Sequence, residues 1–230
     1  MKNNDASSMK KINWKKSSGI VLFVTLLFSI GYSIVKIITS DTAGDKAHEL
    51  VRSDYVLMLL QCTLGIIVMF LPSIIQKKFS IEIPNYMTIL YFVFLYCAIY
   101  LGEVHSFYYV IPYWDSILHA FSGAMLGVLG FVLVDILNSA KNISVKLSPF
   151  FVALFAFCFA LAVGSLWEVY EFCGDHLFGL NMQKFRTAEG IVLTGHSALT
   201  DTMKDIIIDT GAALAISVLG YFSFKKRDKK

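Results

Sequence analysis

Six carboxylates and one imidazole stand at helical spacing in three short stretches of the second half of the chain. They are Asp115, His119, Glu168, Glu171, Asp201, Asp205 and Asp209. Residues three or four positions apart share one face of an α-helix. Each stretch therefore predicts one helix that presents its titratable side chains along a single stripe.

The chemistry that suits this set is the binding of a divalent cation. Carboxylate oxygens together with an imidazole favour Mg²⁺ or Mn²⁺, with Ca²⁺ and iron behind them. A metal ion bound there could polarise a phosphoryl or carbonyl oxygen, or lower the pKa of a bound water. His119 would then be either a metal ligand or a general base, and no organic cofactor is indicated.

A structural explanation stays open for part of the set. Asp115 and Asp201 could cap the starts of their helices. Asp175, which extends the second stripe, could be a solvated loop residue. Capping does not explain the four mid-helix acids, for which a functional role is the better interpretation. These are Glu168, Glu171, Asp205 and Asp209.

The composition indicates that lipid is the solvent for these helices. Of the 230 residues, 56% are hydrophobic and 16% are charged, against about 45–50% and about 25% in soluble domains. The predicted fold class is all-α: a polytopic membrane helix bundle forming one domain, residues 19–224. About six transmembrane helices are expected from the apolar runs. They lie at residues 19–38, 55–75, 86–102, 116–137, 149–173 and 203–224.

The basic residues predict that both termini are cytoplasmic. With the N-terminus inside, most of the 20 lysines and arginines fall on the inner side, as the positive-inside rule requires. The basic ends, residues 1–18 and 225–230, would face anionic lipid, so the net charge of +3 does not indicate a nucleic-acid partner. The acidic stripes then lie toward the outer leaflet. The expected location is the cell (cytoplasmic or inner) membrane, with membrane lipids as partners.

Two further features concern the last three spans. The longest polar loop, residues 174–200, is either a plain connection or a lid over the outer surface. Small residues accompany the acids, and small-xxx-small spacing lets helices approach closely. This predicts that the three helices pack on their acid-bearing faces, and it leaves a homo-oligomer through such faces open. The small residues are Gly123, Gly127, Gly164, Gly211 and Ala212.

Three motifs in this region resemble those of a known bacterial family. They are D-x-x-x-H-x-x-S-G from Asp115, W-E-x-x-E from Trp167 and D-T-M-K-D-x-x-x-D-T from Asp201. Together with G-L-N-M-Q at 179–183 they are similar to the YjdF-like family of inner-membrane proteins. That family is a domain of unknown function, so the resemblance implies a multi-pass bacterial membrane protein and no particular activity.

Three functions remain open at this point. The chain could be a metal-dependent intramembrane enzyme acting on a lipid or lipid-linked substrate, a small cation or proton transporter, or a structural or regulatory membrane protein whose acids are paired. The motifs of CDP-alcohol phosphotransferases, PAP2-type phosphatases, Walker A proteins and H-E-x-x-H proteases are absent from the chain. Few polar residues follow Asp209 in the last helix, which favours the enzyme.

Overall fold

The computed structural model describes residues 13–40, 50–80, 82–139, 147–187 and 190–227. Within these ranges the chain is helical, and an isolated bridge between Arg186 and Val192 is the one β-type pairing. The helices are α1 (Trp14–Thr39), α2 (Arg52–Val68), α3 (Leu71–Phe79), α4 (Asn85–Leu95), α5 (Phe107–Val110), α6 (Trp114–Ser139), α7 (Pro149–Phe178) and α8 (His196–Arg227). A π-helix, Tyr96–Val104, continues α4 directly.

Six helical segments of the described chain are long and apolar enough to cross a membrane, which confirms the predicted number. One of them, Arg52–Phe79, combines α2 and α3. Pro72 stands in the first turn of α3, where its missing N–H costs little, and the break between the two helices falls just before it. The protein is therefore an all-α multi-pass membrane protein.

The third span has irregular hydrogen bonding at its end. It runs from Asn85 to Val104, slightly beyond the predicted 86–102, because the π-helix extends it. Such helices are rare and usually accompany a local constraint. Here the indole Nε1 of Trp114 donates a hydrogen bond of 3.3 Å to the carbonyl oxygen of Cys97, which ties this span to the start of α6.

The loop between α7 and α8 is shorter than predicted. α7 continues to Phe178, and Gly179 closes it in the left-handed conformation with φ of +65°. α8 already begins at His196, so the predicted loop 174–200 is wrong at both ends. Hydropathy marks the part of a helix that lies in hydrocarbon, about 30 Å thick. The 30 residues of α7 extend about 45 Å, so its end continues into the polar layer.

The same helix bounds exclude capping as the role of two acids. Asp115 is the second residue of α6, and Asp201 lies more than one turn inside α8. An N-cap residue precedes the first helical residue and has non-helical backbone angles. The capping alternative for both residues is therefore wrong.

The helices pack in two groups. α1, α2 and α4 surround a core that includes the buried Leu26 and Met58. α6, α7 and α8 surround a second core that includes Val134, Val152 and Ala156. All three acidic stripes belong to this second group.

Glycines set the separation of the helices in the second group. A Cβ atom added at Gly127 would lie 3.0 Å from Cγ2 of Ile216. One added at Gly123 would lie 2.9 Å from the backbone oxygen of Asp209, and one at Gly164 would lie 2.6 Å from Oδ2 of the same residue. α6, α7 and α8 thus pack on their small-residue, acid-bearing faces, as predicted.

Gly211 is an exception to this pattern. No described atom lies within 4 Å of a Cβ added there, so this glycine does not bring two helices of the chain together. The other three glycines, Gly123, Gly127 and Gly164, already pack against helices of the same chain. A homo-oligomer through small-residue faces therefore stays a prediction.

The orientation in the membrane also stays a prediction. Several of the lysines that support it lie outside the described residues, namely Lys10, Lys11, Lys141, Lys146, Lys229 and Lys230. α1 begins at Trp14 and α8 ends at Arg227. Helical structure therefore reaches into both predicted end segments, 1–18 and 225–230.

Candidate metal centre

The imidazole of His119 lies at the centre of the second helix group. Its Nε2 atom is 3.8 Å from Oδ1 of Asp115, 3.9 Å from Oε1 of Glu168 and 4.0 Å from Oδ2 of Asp205. Asp115 belongs to the same helix as His119, whereas Glu168 comes from α7 and Asp205 from α8. One ring nitrogen therefore faces carboxylates from three helices.

Asp209 contacts the opposite nitrogen of the ring. Its Oδ2 atom lies 3.2 Å from Nδ1 of His119, and the hydroxyl of Ser122 donates to its Oδ1 atom at 3.5 Å. A hydrogen bond to a carboxylate places a proton on Nδ1. In the neutral ring the lone pair is then on Nε2, the nitrogen that faces the other three carboxylates.

The absence of side chains at two glycines leaves room for this contact. Asp209 is held between Gly123 of α6 and Gly164 of α7, at both of which a side chain would collide with it. Only 3% of Asp209 is exposed. These two glycines therefore allow the Asp209 carboxylate to lie against the imidazole.

The centre is buried, yet part of it has no hydrogen-bond partner. Glu168 is 4% exposed and Asp205 is 1% exposed. Within the described chain, both carboxyl oxygens of Glu168 and the Oδ1 atom of Asp205 lack a hydrogen-bond partner. A buried ionised carboxylate without a partner is strongly destabilising. Bound cations or protons must therefore compensate these groups.

One subset is close enough together to hold a metal ion. Asp115, His119 and Asp205 each offer one ligand atom, and these atoms lie within 4.8 Å of one another. The group is buried at His119 and Asp205 and half-buried at Asp115. It could hold a metal ion, with oxygen and nitrogen donors of the kind that Mg²⁺, Mn²⁺ and other divalent cations accept.

The remaining two predicted residues lie nearer the helix ends. Glu171 is one turn beyond Glu168, and its Oε1 atom accepts a hydrogen bond of 2.9 Å from the indole of Trp167. Asp201 is one turn before Asp205 and is half-buried. Neither makes an ion pair with His119 within 4 Å in the described chain. The structure therefore places both at the rim of the centre.

A segment that follows α7 is fixed by hydrogen bonds to α7 and α8, and we call residues 179–187 the strap. The carboxylate of Asp175 accepts hydrogen bonds from the backbone N–H groups of Met182 at 2.7 Å and Gln183 at 2.9 Å. The side-chain amide of Gln183 donates to the hydroxyl of Thr202 at 2.7 Å. Asp175 is thus a helical, buried residue, and its interpretation as a solvated loop residue is wrong.

The strap also contacts α5. The amide nitrogen of Asn181 donates to the hydroxyl of Tyr109 at 3.2 Å and to the carbonyl of Arg186 at 2.8 Å. Its amide oxygen accepts the backbone N–H of Arg186 at 2.8 Å. The sequence alone indicates no contact between Asn181 and Tyr109. The G-L-N-M-Q motif was the signal, but only the folded strap shows what its asparagine binds.

A cavity of about 560 Å³ opens beside the strap, between the adjoining ends of α7 and α8. Its lining includes Phe172 and Thr202. Phe172 follows Glu168 by four residues and Thr202 precedes Asp205 by three, so each shares a helix face with an acid of the centre. The cavity therefore lies about one helical turn from the candidate metal ligands.

Comparison with known proteins gives a family and no solved relative. A family model described as Predicted membrane protein (DUF2238) matches residues 20–226. An uncharacterized protein of Thermotoga maritima is 28% identical over 140 residues, which is 61% of this chain and 64% of that protein. This match therefore spans slightly less than two thirds of that relative's length. No solved structure matches the chain.

Proposed function

The chain belongs to this family of predicted membrane proteins (DUF2238), and on that premise we propose that it is a metal-dependent hydrolase of a lipid or lipid-linked ester. Asp115, His119 and Asp205 bind one divalent cation, with Mg²⁺ or Mn²⁺ as the favoured ion. The observation that carries the proposal is the meeting of one imidazole nitrogen with carboxylates from three helices, two of which have unpartnered buried oxygens.

The residues of the centre divide the chemistry among them. Asp115, His119 and Asp205 would hold the cation, which would supply a water of lowered pKa. Glu168 accepts the proton of the attacking water as the water oxygen bonds to the phosphorus or carbonyl carbon of the ester. The ester bond to the leaving oxygen then breaks, and Glu168 returns the proton to that oxygen. The balance is ester plus water giving acid plus alcohol.

Asp209 has a different task in this scheme. It was predicted as a metal ligand, but it contacts Nδ1, which faces away from the other carboxylates. A carboxylate that binds the second nitrogen of a metal-ligating histidine fixes its tautomer and strengthens it as a ligand. We therefore assign Asp209 the orientation of His119. Glu171 and Asp201, at the rim, are assigned to the path of the cation or substrate.

The proposal places the reaction at the outer leaflet of the cell membrane. This location rests on the predicted orientation with both termini inside. The cavity beside the strap, about one helical turn from the metal ligands, combines apolar with polar lining residues. Such a cavity suits the junction between a lipid headgroup and its chains.

Metal binding by the purified, intact protein tests the proposal. We expect about one Mn²⁺ per chain, measured by electron paramagnetic resonance, and an affinity more than about 100-fold lower in Asp205→Asn and His119→Gln, because loss of a ligand costs more than the about 10- to 100-fold of an outer-shell partner. Glu82→Gln, an exposed acid outside the centre, is the matched control and should bind as wild type. A wild-type protein that binds no Mn²⁺ would refute the metal site.

A second variant separates the chemistry from metal binding. Glu168→Gln keeps the size of the side chain but removes the base, so we expect it to retain Mn²⁺ and to lose hydrolysis of lipid esters. Asp205→Asn should lose both. Substrate can be sought as Mn²⁺-dependent release of products from a bacterial lipid extract. Hydrolysis at the wild-type rate by Glu168→Gln would remove Glu168 from its role.

The part of the bundle below the centre gives little support to the transporter alternative. A cation path to the other face would have to pass beneath Asp209, where Ala213 is fully buried. One turn further, Ile216 packs against Gly127. The hydroxyl of Ser217 is buried without a partner in the described chain, and a single hydroxyl does not form a path. A silent structural role is disfavoured by the unpartnered oxygens of the centre.

A further inference from the structure

Lys184 occupies a constrained place in the strap. Its backbone adopts the left-handed conformation, with φ of +49°, which is uncommon for a residue other than glycine. Such a conformation persists only where the surroundings hold it. Here the surroundings are the hydrogen bonds of Gln183 to Asp175 and Thr202, immediately before the lysine. The strap is thus built to fix the position of this residue.

The ammonium group of Lys184 is held by two aromatic rings. Nζ lies 4.7 Å from the ring centre of Tyr108 and 5.2 Å from that of Tyr109, within the range of cation–π attraction. The same nitrogen donates to the carbonyl of Asn181 at 3.4 Å, which is long for a hydrogen bond. An ammonium has three N–H groups, so this one keeps donor capacity for a ligand.

The charge of Lys184 connects the strap to the candidate metal centre. Burial by itself would lower the pKa of this lysine, but acidic groups around it raise that pKa above its usual value, so the side chain is protonated. These groups are Tyr109, Glu103, Asp115 and Glu171. Asp115 is also one of the three residues that could hold a metal ion. The strap also contacts the helix that carries Asp205, because Gln183, which precedes Lys184, donates to Thr202, three residues before that ligand.

We propose that Lys184 is an anchor for the phosphate group of the substrate, which makes the substrate class a phosphate-bearing amphiphile. This inference rests on the proposed function, because the metal supplies the second positive contact. A phosphate group has hard oxygens that suit Mg²⁺ or Mn²⁺, and a lysine binds another of its oxygens as a point charge. Among so many carboxylates, an anion needs both positive contacts to enter.

The geometry of the neighbouring cavity supports this class of substrate. The cavity is lined by Gln183, adjacent to Lys184, and by Thr202 of α8, and also by Phe172 and Leu199. Phe172 and Leu199 are largely exposed apolar side chains. An amphiphile whose chain lies against Phe172 and Leu199 then has its headgroup at Gln183, which precedes Lys184, and at Thr202, three residues before Asp205.

The test measures contact between phosphorus and bound metal, without requiring turnover. The intact protein is loaded with Mn²⁺ in nanodiscs of phosphatidylcholine, and paramagnetic relaxation of ³¹P is recorded with inorganic phosphate or with phosphatidic acid added to the nanodisc. We expect enhanced relaxation in the wild type, with tighter binding of phosphatidic acid if the source is a lipid and of inorganic phosphate if it is the free ion. Either result supports the phosphate anchor, and tighter binding of inorganic phosphate replaces the amphiphile by the free ion as its ligand.

Variants separate the anchor from a mere counter-ion. Lys184→Gln should weaken phosphate binding about tenfold while its Mn²⁺ affinity stays within about twofold of wild type. Lys36→Gln is the matched control, because Lys36 also lies over two tyrosine rings, at 5.9 Å from Tyr32 and 5.8 Å from Tyr55. It should behave as wild type.

The failures of the two proposals are distinguishable. A wild type that binds Mn²⁺ but relaxes neither phosphate probe overturns the anchor and leaves the metal site standing. Unchanged phosphate binding in Lys184→Gln also overturns it, as does Mn²⁺ binding that becomes several-fold tighter in that variant, which would make the lysine a counter-ion of the carboxylates. A wild type without Mn²⁺ removes the proposed function itself.

Discussion

The Nδ1 atom of His119 lies 3.2 Å from Oδ2 of Asp209, on the side of the ring opposite the nitrogen that faces the other acids. Helical spacing puts Asp209 on the same stripe as Asp205, and both are almost fully buried. Although they are only one helical turn apart, Asp205 faces Nε2 of the ring and Asp209 faces Nδ1. A single ring thus has two distinct acidic neighbours on one helix.

Removing the Asp209 carboxylate should weaken metal binding without removing a ligand. In Asp209→Ala the ring loses the partner that fixes its tautomer, so we expect Mn²⁺ affinity to fall about 10- to 100-fold. Asp209→Asn should lose less, because the amide oxygen can still accept from Nδ1. Titration of Mn²⁺ into the purified variants measures this. Wild-type affinity in Asp209→Ala would show that the contact does not orient the ring.

A methyl group at Gly164 should disturb the same contact from the other side. Its Cβ would lie 2.6 Å from Oδ2 of Asp209, so the carboxylate must move. We expect Gly164→Ala to lose about 1–3 kcal/mol of stability and to bind Mn²⁺ more weakly. Thermal unfolding in detergent and Mn²⁺ titration measure the two effects.

Gly211→Ala is the matched control for this substitution. It also places alanine in the interior of a spanning helix, but no described atom lies within 4 Å of the new Cβ. Since alanine favours a helix over glycine by about 1 kcal/mol, this variant should be as stable as wild type or more so. Equal destabilisation by Gly164→Ala and Gly211→Ala would contradict the steric argument.

Much of the fold could be predicted from the sequence because hydropathy and helical spacing are local properties. The spacing of Asp115 and His119, or of Asp205 and Asp209, decides which side chains share a helix face. It does not give the rotation of one helix against another. The sequence therefore could not show that Asp205 and Asp209 contact opposite sides of the ring, and only the folded chain shows it.

The strap shows a second limit of sequence reasoning. Asp175 and His196 look like loop residues because they are polar, yet both are helical, since a helix may leave the hydrocarbon without ending. The partners of Asp175 are backbone N–H groups seven and eight residues later. No side-chain pattern records such a contact. In the sequence, the sign that α7 ends and the strap begins was Gly179.

Asp175→Ala should release the strap from α7. The carboxylate accepts two backbone hydrogen bonds, and hydrogen bonds to a charged group contribute about 1.5–3 kcal/mol each. We expect the amides of Met182 and Gln183 to exchange with deuterium much faster in this variant, while amides in the core of α7 keep their protection. Hydrogen exchange with mass spectrometry measures both. Unchanged exchange at Met182 would show that other contacts hold the strap.

The predicted orientation can be tested by the accessibility of single cysteines. In a chain whose exposed Cys158 and Cys173 are replaced by serine, Thr194→Cys lies between α7 and α8, and Glu82→Cys lies between α3 and α4. With both termini inside, an impermeant maleimide should label Thr194→Cys in intact cells.

Glu82→Cys should react with the same reagent only after the membrane is opened. The native cysteines in the described spans give a background of labelling. Replacing two of them by serine lowers that background. The reverse labelling pattern would show that the bundle has the opposite orientation, with His119 and the strap at the cytoplasmic leaflet. The metal ligands would then be unchanged, because their geometry does not depend on orientation, but the substrate would have to come from the inner leaflet.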